Sequence, residues 1–502
     1  MTAKILELVP LVRRYVPNDR EWLRLLVNGR TEPLALYDLA WEQQVKNPQQ
    51  LAVQSNLSEV QYKKAERQLL QALRKMISLV VFPDDESDPF MAAFIDGYQK
   101  IGMLKVMRLL GARFNAEDVA RDLLRAGEKY ENPILTFFAA DALCDLTANT
   151  QGDERGFHRW RELGTSAKQA IDIEQRMRGY FQQTQLTYLH SRQARPEMAG
   201  LIGEQLGSMT PYFGAVRSNN FELHYLLAHI NKHMADLDYV GALQATEFGI
   251  RHFMSKPYPM ESVVSALQLQ KITCCIMLRQ FEEGRAAAEY ALAHTPENLP
   301  NWYQTLIAYF YLAMHTREYE RAADIYKRGL ANRRLRLQPE HLLSLWRLLG
   351  AYLCIALRYA GKKPESYGLP AVRSSKLLND VPAFTQDKRG LNVAILIAHI
   401  LIQLLEGKYD DIRQRTGALE KYGSRYLRND DHLLRSNTFI KILGILPKVN
   451  FRRRFFLEKA KPMLQKLSVT SIEIARQTHE IEVIPYEDLW EMLINHLDER
   501  AR

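Results

Sequence analysis

The sequence predicts an all-α chain that grows by stacking helical hairpins, an α-solenoid, and three observations carry that expectation. Nearly every segment places apolar residues at three- and four-residue steps. Alternating β-branched runs and Asn-Gly turns are nearly absent. Short motifs recur at intervals of roughly forty residues. Length agrees, because 502 residues exceed one compact core unless the architecture grows by repetition.

Short helices are expected first, at roughly 3–15, 19–28, 32–44 and 48–55, broken at Pro17-Asn18-Asp19, Gly29-Arg30 and Asn47-Pro48. A long amphipathic helix then covers 57–82. Leu57-Ser58-Glu59 opens it, and Val60, Ala65, Leu69, Leu70, Leu73, Met76, Ile77 and Val80 form its apolar stripe. The run from Pro83 to Pro89 ends it and places a boundary near 85, closing an N-terminal helical domain at 1–85. Helical hairpins follow over 86–235, the clearest repeats over 236–330, further repeats over 331–467 and a C-terminal helical cap over 468–502. Gly/Ser-rich linkers and low-complexity runs are absent, so the domains are expected to pack. The weakest pattern lies at 361–387.

The repeat is clearest from Gln280 to Asn298. Phe281 opens a helix after a short turn, Gly284, Ala288 and Ala291 supply small residues for close helix crossing, and Pro296 ends it. Trp302 and Tyr309 then stand seven apart on the next helix, and Glu318-Tyr319-Glu320 opens its partner. Phe281 and Tyr319 are 38 residues apart. Asp238-Tyr239-Val240-Gly241 is an earlier copy, and Lys408-Tyr409-Asp410-Asp411 a looser later one. This pattern resembles the tetratricopeptide repeat, although Thr305-Leu306 replaces the family's central Leu-Gly. The whole chain is also similar to a group of uncharacterised tetratricopeptide-containing proteins of Bacteroidetes-type bacteria. That resemblance rests on Leu36-Tyr37-Asp38 with the helix after it, on the Ala- and Leu-rich hairpin near 115–147, and on Glu482-Val483-Ile484-Pro485-Tyr486-Glu487-Asp488-Leu489-Trp490-Glu491. It implies a right-handed superhelix with a concave groove and no reaction. Family geometry puts Tyr303, Gln304, Ile307 and Phe310 on the groove wall.

The formal charge is +9 and unevenly spread. Residues 1–300 hold 34 basic and 36 acidic side chains, and residues 301–502 hold 33 and 22. Two clusters concentrate the surplus: Arg333, Arg334 and Arg336, then Arg452, Arg453 and Arg454 before Phe455 and Phe456. Both are candidate contacts for an anionic ligand. The structural alternative is that cations at helix ends offset the macrodipole, or that the acidic stretch 473–499 pairs with the second cluster. The cysteines Cys144, Cys274, Cys275 and Cys354 sit in apolar runs, as buried reduced thiols do. The start, Met1-Thr2-Ala3-Lys4, does not read as a signal peptide. The longest apolar stretch, near Val393–Leu405, is too short to span a bilayer, so a cytoplasmic protein without membrane insertion is expected.

Motifs that carry chemistry are weak. His229 and His233 share a helix face, with His224 and His252 nearby, but no H-E-x-x-H accompanies them, and a polar helix face explains them better than zinc. Gly361-Lys362-Lys363 lacks the rest of a phosphate-binding loop. Gly200, Gly203 and Gly207 suggest close helix packing, and Asp84-Asp85 and Asp430-Asp431 solvated loops. Pro485 to Trp490 reads as the start of a covering helix rather than a docking motif.

The expected function is a non-enzymatic scaffold without cofactor or metal that holds a protein or peptide segment, an acidic one in particular, in its groove. The alternative is a peptide-sensing regulator with a nucleic-acid-binding module at residues 1–85. Residues 1–100 carry 13 basic and 13 acidic side chains, which argues against it. A metal enzyme using His229 and His233 ranks last.

Overall fold

A computed structural model describes the chain except residues 1, 42–47, 82–87, 191–194, 298, 333, 334, 336, 337, 339, 371, 376, 378–389, 415–433, 471, 473–481 and 500–502. The described residues form 22 α-helices and no strand. They fall into two compact units, one of residues 1–176, 214–222 and 254–262, the other of 177–213, 223–253 and 263–502. The expected boundary near 85 lies inside the first unit.

The first unit opens with α1 (Thr2–Tyr15), α2 (Asp19–Leu26), α3 (Thr31–Trp41), α4 (Pro48–Gln54) and α5 (Glu59–Met76). These share a core of their own, centred on Ile5, Val9, Leu36, Tyr37, Leu69 and Leu73. Ser58 starts α5 with a capping box, its hydroxyl accepting from the Gln61 amide at 3.4 Å. The expected stripe needs two corrections, and one is Ile77, which lies in the 3₁₀ turn after α5 and is 37 % exposed. Val60 is 78 % exposed and Tyr62 is buried instead, because Tyr62, Ala65, Leu69, Leu73 and Met76 hold the 3.6-residue period and Val60 does not.

A second core in this unit joins α6 (Pro89–Leu109), α7 (Arg113–Lys129) and α8 (Pro133–Leu146), and α9 (Glu154–His190) follows. Gly127 lets α8 approach, since a Cβ there would stand 2.7 Å from the Thr136 amide nitrogen. Polar anchors hold the two later segments of the unit. Lys256 pairs with Glu131 and Glu222 at 2.6 and 2.8 Å, and Asp88 accepts from the Ser262 amide and hydroxyl at 2.8 and 2.6 Å.

The helices after α9 are α10 (Arg195–Met209), α11 (Asn219–Ala235), α12 (Tyr239–Met254), α13 (Glu261–Leu278), α14 (Phe281–Ala293), α15 (Pro300–His315), α16 (Tyr319–Ala331) and α17 (Glu340–Tyr359). Then come α18 (Gly390–Glu406), α19 (Leu434–Leu443), α20 (Ile445–Lys448), α21 (Arg453–Ser468) and α22 (Tyr486–Glu499). One turn recurs through this second unit. Leu237, Arg279, Arg317, Gly361 and Gly407 all have positive φ, between 54° and 73°. After each, the next amide bonds a carbonyl five residues back, such as Gln280 to Cys275 at 2.9 Å and Glu318 to Ala313 at 2.8 Å. This left-handed helix end reverses the chain, and a second helix opens after it at Tyr239, Phe281 and Tyr319, whereas a 3₁₀ turn, Pro364–Tyr367, follows Gly361. The copies expected at Asp238, Gln280, Glu318 and Lys408 each begin directly after it. Gly361-Lys362 is a further copy, within the stretch 361–387 whose pattern is weakest in the sequence.

Small residues bring the hairpins together. A Cβ on Gly284 would stand 2.5 Å from Leu312 Cδ2 and 2.9 Å from Cys275 Cβ. Gly329 meets Trp346, whose ring stacks on Tyr326 at 5.4 Å between centroids. Not every glycine serves this purpose: a Cβ on Gly200 or Gly207 would meet nothing within 4 Å, so close packing does not explain them. One core runs from Ile272 to Leu497. Within α17, Leu342–Tyr359 is long and apolar enough to cross a membrane by length and composition, which the sequence reading overlooked. Its Trp346, Leu349, Tyr352, Leu353, Ile355 and Ala356 are at most 2 % exposed in this core.

Candidate functional site

The first helices of the hairpins hold the C-terminal segment 482–491. His315, at the end of α15, places Nε2 2.9 Å from the Glu482 carbonyl oxygen. Burial pushes this imidazole down to about 4, so it is neutral and donates. Arg317 donates to Asp488 at 2.5 Å and Glu491 at 2.6 Å, and Arg279 stands 3.5 Å from Asp488. These two arginines occupy the left-handed turn position that Gly361 and Gly407 fill later. Arg435 on α19 donates to Glu482 through Nε and Nη2 at 2.9 and 2.8 Å, and to Glu487 at 2.7 Å. It also donates to the carbonyls of Leu467 and Thr470 at 2.9 and 2.6 Å. Burial works against its charge, and Glu482 and Glu487 more than offset it, so its pKa is raised. Tyr486 stacks on Phe439 at 4.5 Å, and its hydroxyl lies 2.8 Å from that of Ser436. Val483, Ile484, Tyr486 and Leu489 are at most 1 % exposed. The segment is part of the core.

A charged cleft lies between the second helices of the same hairpins. Glu282, Arg285, Glu289, Tyr309, Arg321, Asp324, Ile325 and Arg328 enclose about 340 Å³ between α14 and α16. A recess of about 540 Å³ shares Arg321 and Asp324 and adds Arg317, Glu318, Tyr319, Glu320 and Lys362. Tyr309 is 5 % exposed, and burial followed by the nearby Glu289 pushes its phenol up to about 12. Arg328 pairs with Glu289 at 2.9 Å, Arg285 with Glu282 at 2.6 Å and Lys362 with Glu320 at 2.5 Å. Arg321 is exposed and has no hydrogen bond or ion pair among the described residues. The cleft therefore offers one free guanidinium among neutralised pairs, suited to a ligand carboxylate.

The residues expected on the groove wall separate. Tyr303 and Phe310 are 1 % and 0 % exposed, Gln304 is exposed and Ile307 half-buried. Phe310 packs at 6.2 Å from Tyr326 and 6.4 Å from Trp346, so it serves the contact between hairpins. Arg333, Arg334 and Arg336 lie outside the described residues, as do Asp84, Asp85, Asp430 and Asp431. Arg452 is the N-cap of α21, with Arg453 and Arg454 in its first turn. The macrodipole explanation fails there, because that pole is positive and repels cations. The described acidic residues Glu482, Glu487, Asp488 and Glu491 pair with Arg435, Arg317 and Arg279.

The histidines disperse. His233 Nδ1 lies 2.9 Å from Asp238, His229 packs on Tyr225, His224 on Phe181 and His252 on Phe213. Among the described residues no group of three or more His, Cys, Asp or Glu is placed to hold a metal ion. Cys274, Cys275 and Cys354 are buried free thiols, and burial pushes each up to about 12. Sequence reasoning missed Arg279, His315, Arg317, Arg321 and Arg435. The signal for Arg279 and Arg317 was present: arginine where the later copies carry glycine.

These features define an all-α, repeat-like protein whose arginines hold one acidic segment of its own chain and leave one cleft open. No family model, curated protein or solved structure matches the chain.

Proposed function

We propose that the chain is a non-enzymatic scaffold of tetratricopeptide-like hairpins that binds a peptide or partner segment carrying a carboxylate. The ligand is read at the Tyr309 cleft, because Arg279, Arg317 and Arg435 are already engaged by residues 482–491. The observation that supports this reading most is Arg321, an exposed guanidinium without a partner among the described residues, at the junction of the cleft and its recess. Capture of the C-terminal segment through a main-chain carbonyl and three arginines supports the chemistry, since a partner segment offers the same groups. In this reading 482–499 is a covering element for the hairpins.

The test is selection of a displayed random-peptide library on the purified chain, followed by fluorescence anisotropy of the enriched peptides. Enriched peptides are expected to contain Asp or Glu and to lose about tenfold or more in affinity against Arg321→Glu. Equal affinity for the variant, or no enrichment, contradicts the proposal.

A further inference from the structure

We infer that α21 is a docking surface for an anionic lipid membrane, bound from the outside without crossing it. The argument begins with where its cations stand. Residues 452–466 contain six basic side chains and one acidic, Glu458. Phe456, Ala460 and Leu467 are at most 1 % exposed and anchor the helix to the core. The opposite face carries three rows of seven-residue spacing. Arg452, Lys459 and Lys466 form one, Arg454 and Lys461 the second, and Phe455, Pro462 and Val469 lie between them, flanked by the exposed Glu458 and Gln465 on the Arg454 side. Seven residues return to nearly the same angle, within about 20°, so each row runs along the axis.

All five cations of the outer rows are exposed and have no ion pair among the described residues. Two apolar members of the middle row are open as well, Phe455 at 45 % and Val469 at 83 %. Arg454 also sits in the first turn, against the helix dipole, where folding gains nothing from it. Two cationic rails about an apolar strip fit a planar anionic surface. The ammonium and guanidinium groups reach lipid phosphates while the strip meets the boundary of the acyl chains. A single-stranded nucleic acid would need a series of stacking platforms, and the middle row supplies one aromatic, Phe455. A second copy would set cation against cation.

The test is vesicle co-sedimentation of the full chain at low and high salt. Vesicles of zwitterionic lipid alone are compared with vesicles containing about a third anionic lipid. Preferential binding to the anionic vesicles, weakened by salt, is expected. Each neutralised cation lowers partitioning about fivefold, so Lys459→Gln with Lys466→Gln lowers it about 25-fold. Val469→Ser, at an exposed position, lowers it severalfold. Unchanged thermal unfolding of both variants separates these losses from misfolding. Equal binding to both vesicle types, or a double variant that binds like wild type, overturns the inference. So does single-stranded RNA bound more tightly than anionic vesicles at the same salt.

Discussion

Replacing Arg435 with alanine should release the C-terminal segment while leaving the first unit folded. Arg435 makes three hydrogen bonds to carboxylates and two to carbonyls, at 2.6 to 2.9 Å. Its side chain is 1 % exposed and that of Glu482 is 2 % exposed. After Arg435→Ala, the Glu482 carboxylate keeps the Tyr486 amide at 2.7 Å but has lost its countercharge inside the core. Breaking one side of a buried ion pair costs about 3–5 kcal/mol, most of it the penalty of the stranded charge. The assay is hydrogen exchange read by mass spectrometry on peptides covering 482–499. A local opening cheaper by that amount speeds exchange roughly a hundredfold to several thousandfold. Peptides covering α7 and α8, in the first unit, serve as the internal reference and should not change. Arg435→Ala combined with Glu482→Ala should cost less than the sum of the two, because the pair is removed together. Exchange over 482–499 within about threefold of wild type would refute the reasoning, since a pair worth under about 1 kcal/mol is not holding the segment.

Other expectations follow from the same contacts. The buried His315 titrates near 4 in the fold and near 6.5 in the unfolded chain. Below 6.5 the unfolded state takes up a proton that the native state refuses. Stability is therefore full above that pH and falls between about 6.5 and 4, by up to about 3 kcal/mol; urea titrations across this range should show the slope, and His315→Gln should flatten it. Arg317→Gly should be less destabilising than Arg317→Ala by about 1 kcal/mol in urea midpoints. Both lose the Asp488 pair, and glycine alone relieves the left-handed backbone at φ 64°. Gly329→Ala should cost about 1–3 kcal/mol by the same measurement, because its Cβ collides with the Trp346 ring. Alkylation of the native protein should modify the half-buried Cys144 first and leave Cys274, Cys275 and Cys354 slow.

What the sequence made legible was local. Helix periods and the aromatic-after-turn motif located the second helices at Tyr239, Phe281 and Tyr319, because the signal for a hairpin end lies within about five residues. Gly361-Lys362 escaped because only a short 3₁₀ turn, Pro364–Tyr367, follows it in place of a long helix. The candidate site was far less readable. Arg435 and Glu482 are 47 residues apart, and Arg317 and Asp488 are 171 apart. No spacing rule connects such pairs, and hydrophobic patterning is blind to them. Tyr303 and Phe310 were placed on a groove wall from family helix geometry alone. That geometry does not register Trp346, whose bulk draws Phe310 into the core.

The most direct measurement is photo-crosslinking of a selected acidic peptide from two positions. One photoreactive phenylalanine replaces Glu282, on the rim of the Tyr309 cleft, and another replaces the exposed Gln304 on α15. The account predicts a peptide adduct from position 282, lost on Arg321→Glu, and none from position 304. An adduct from 304 with none from 282 would contradict it and return the ligand to the first-helix side.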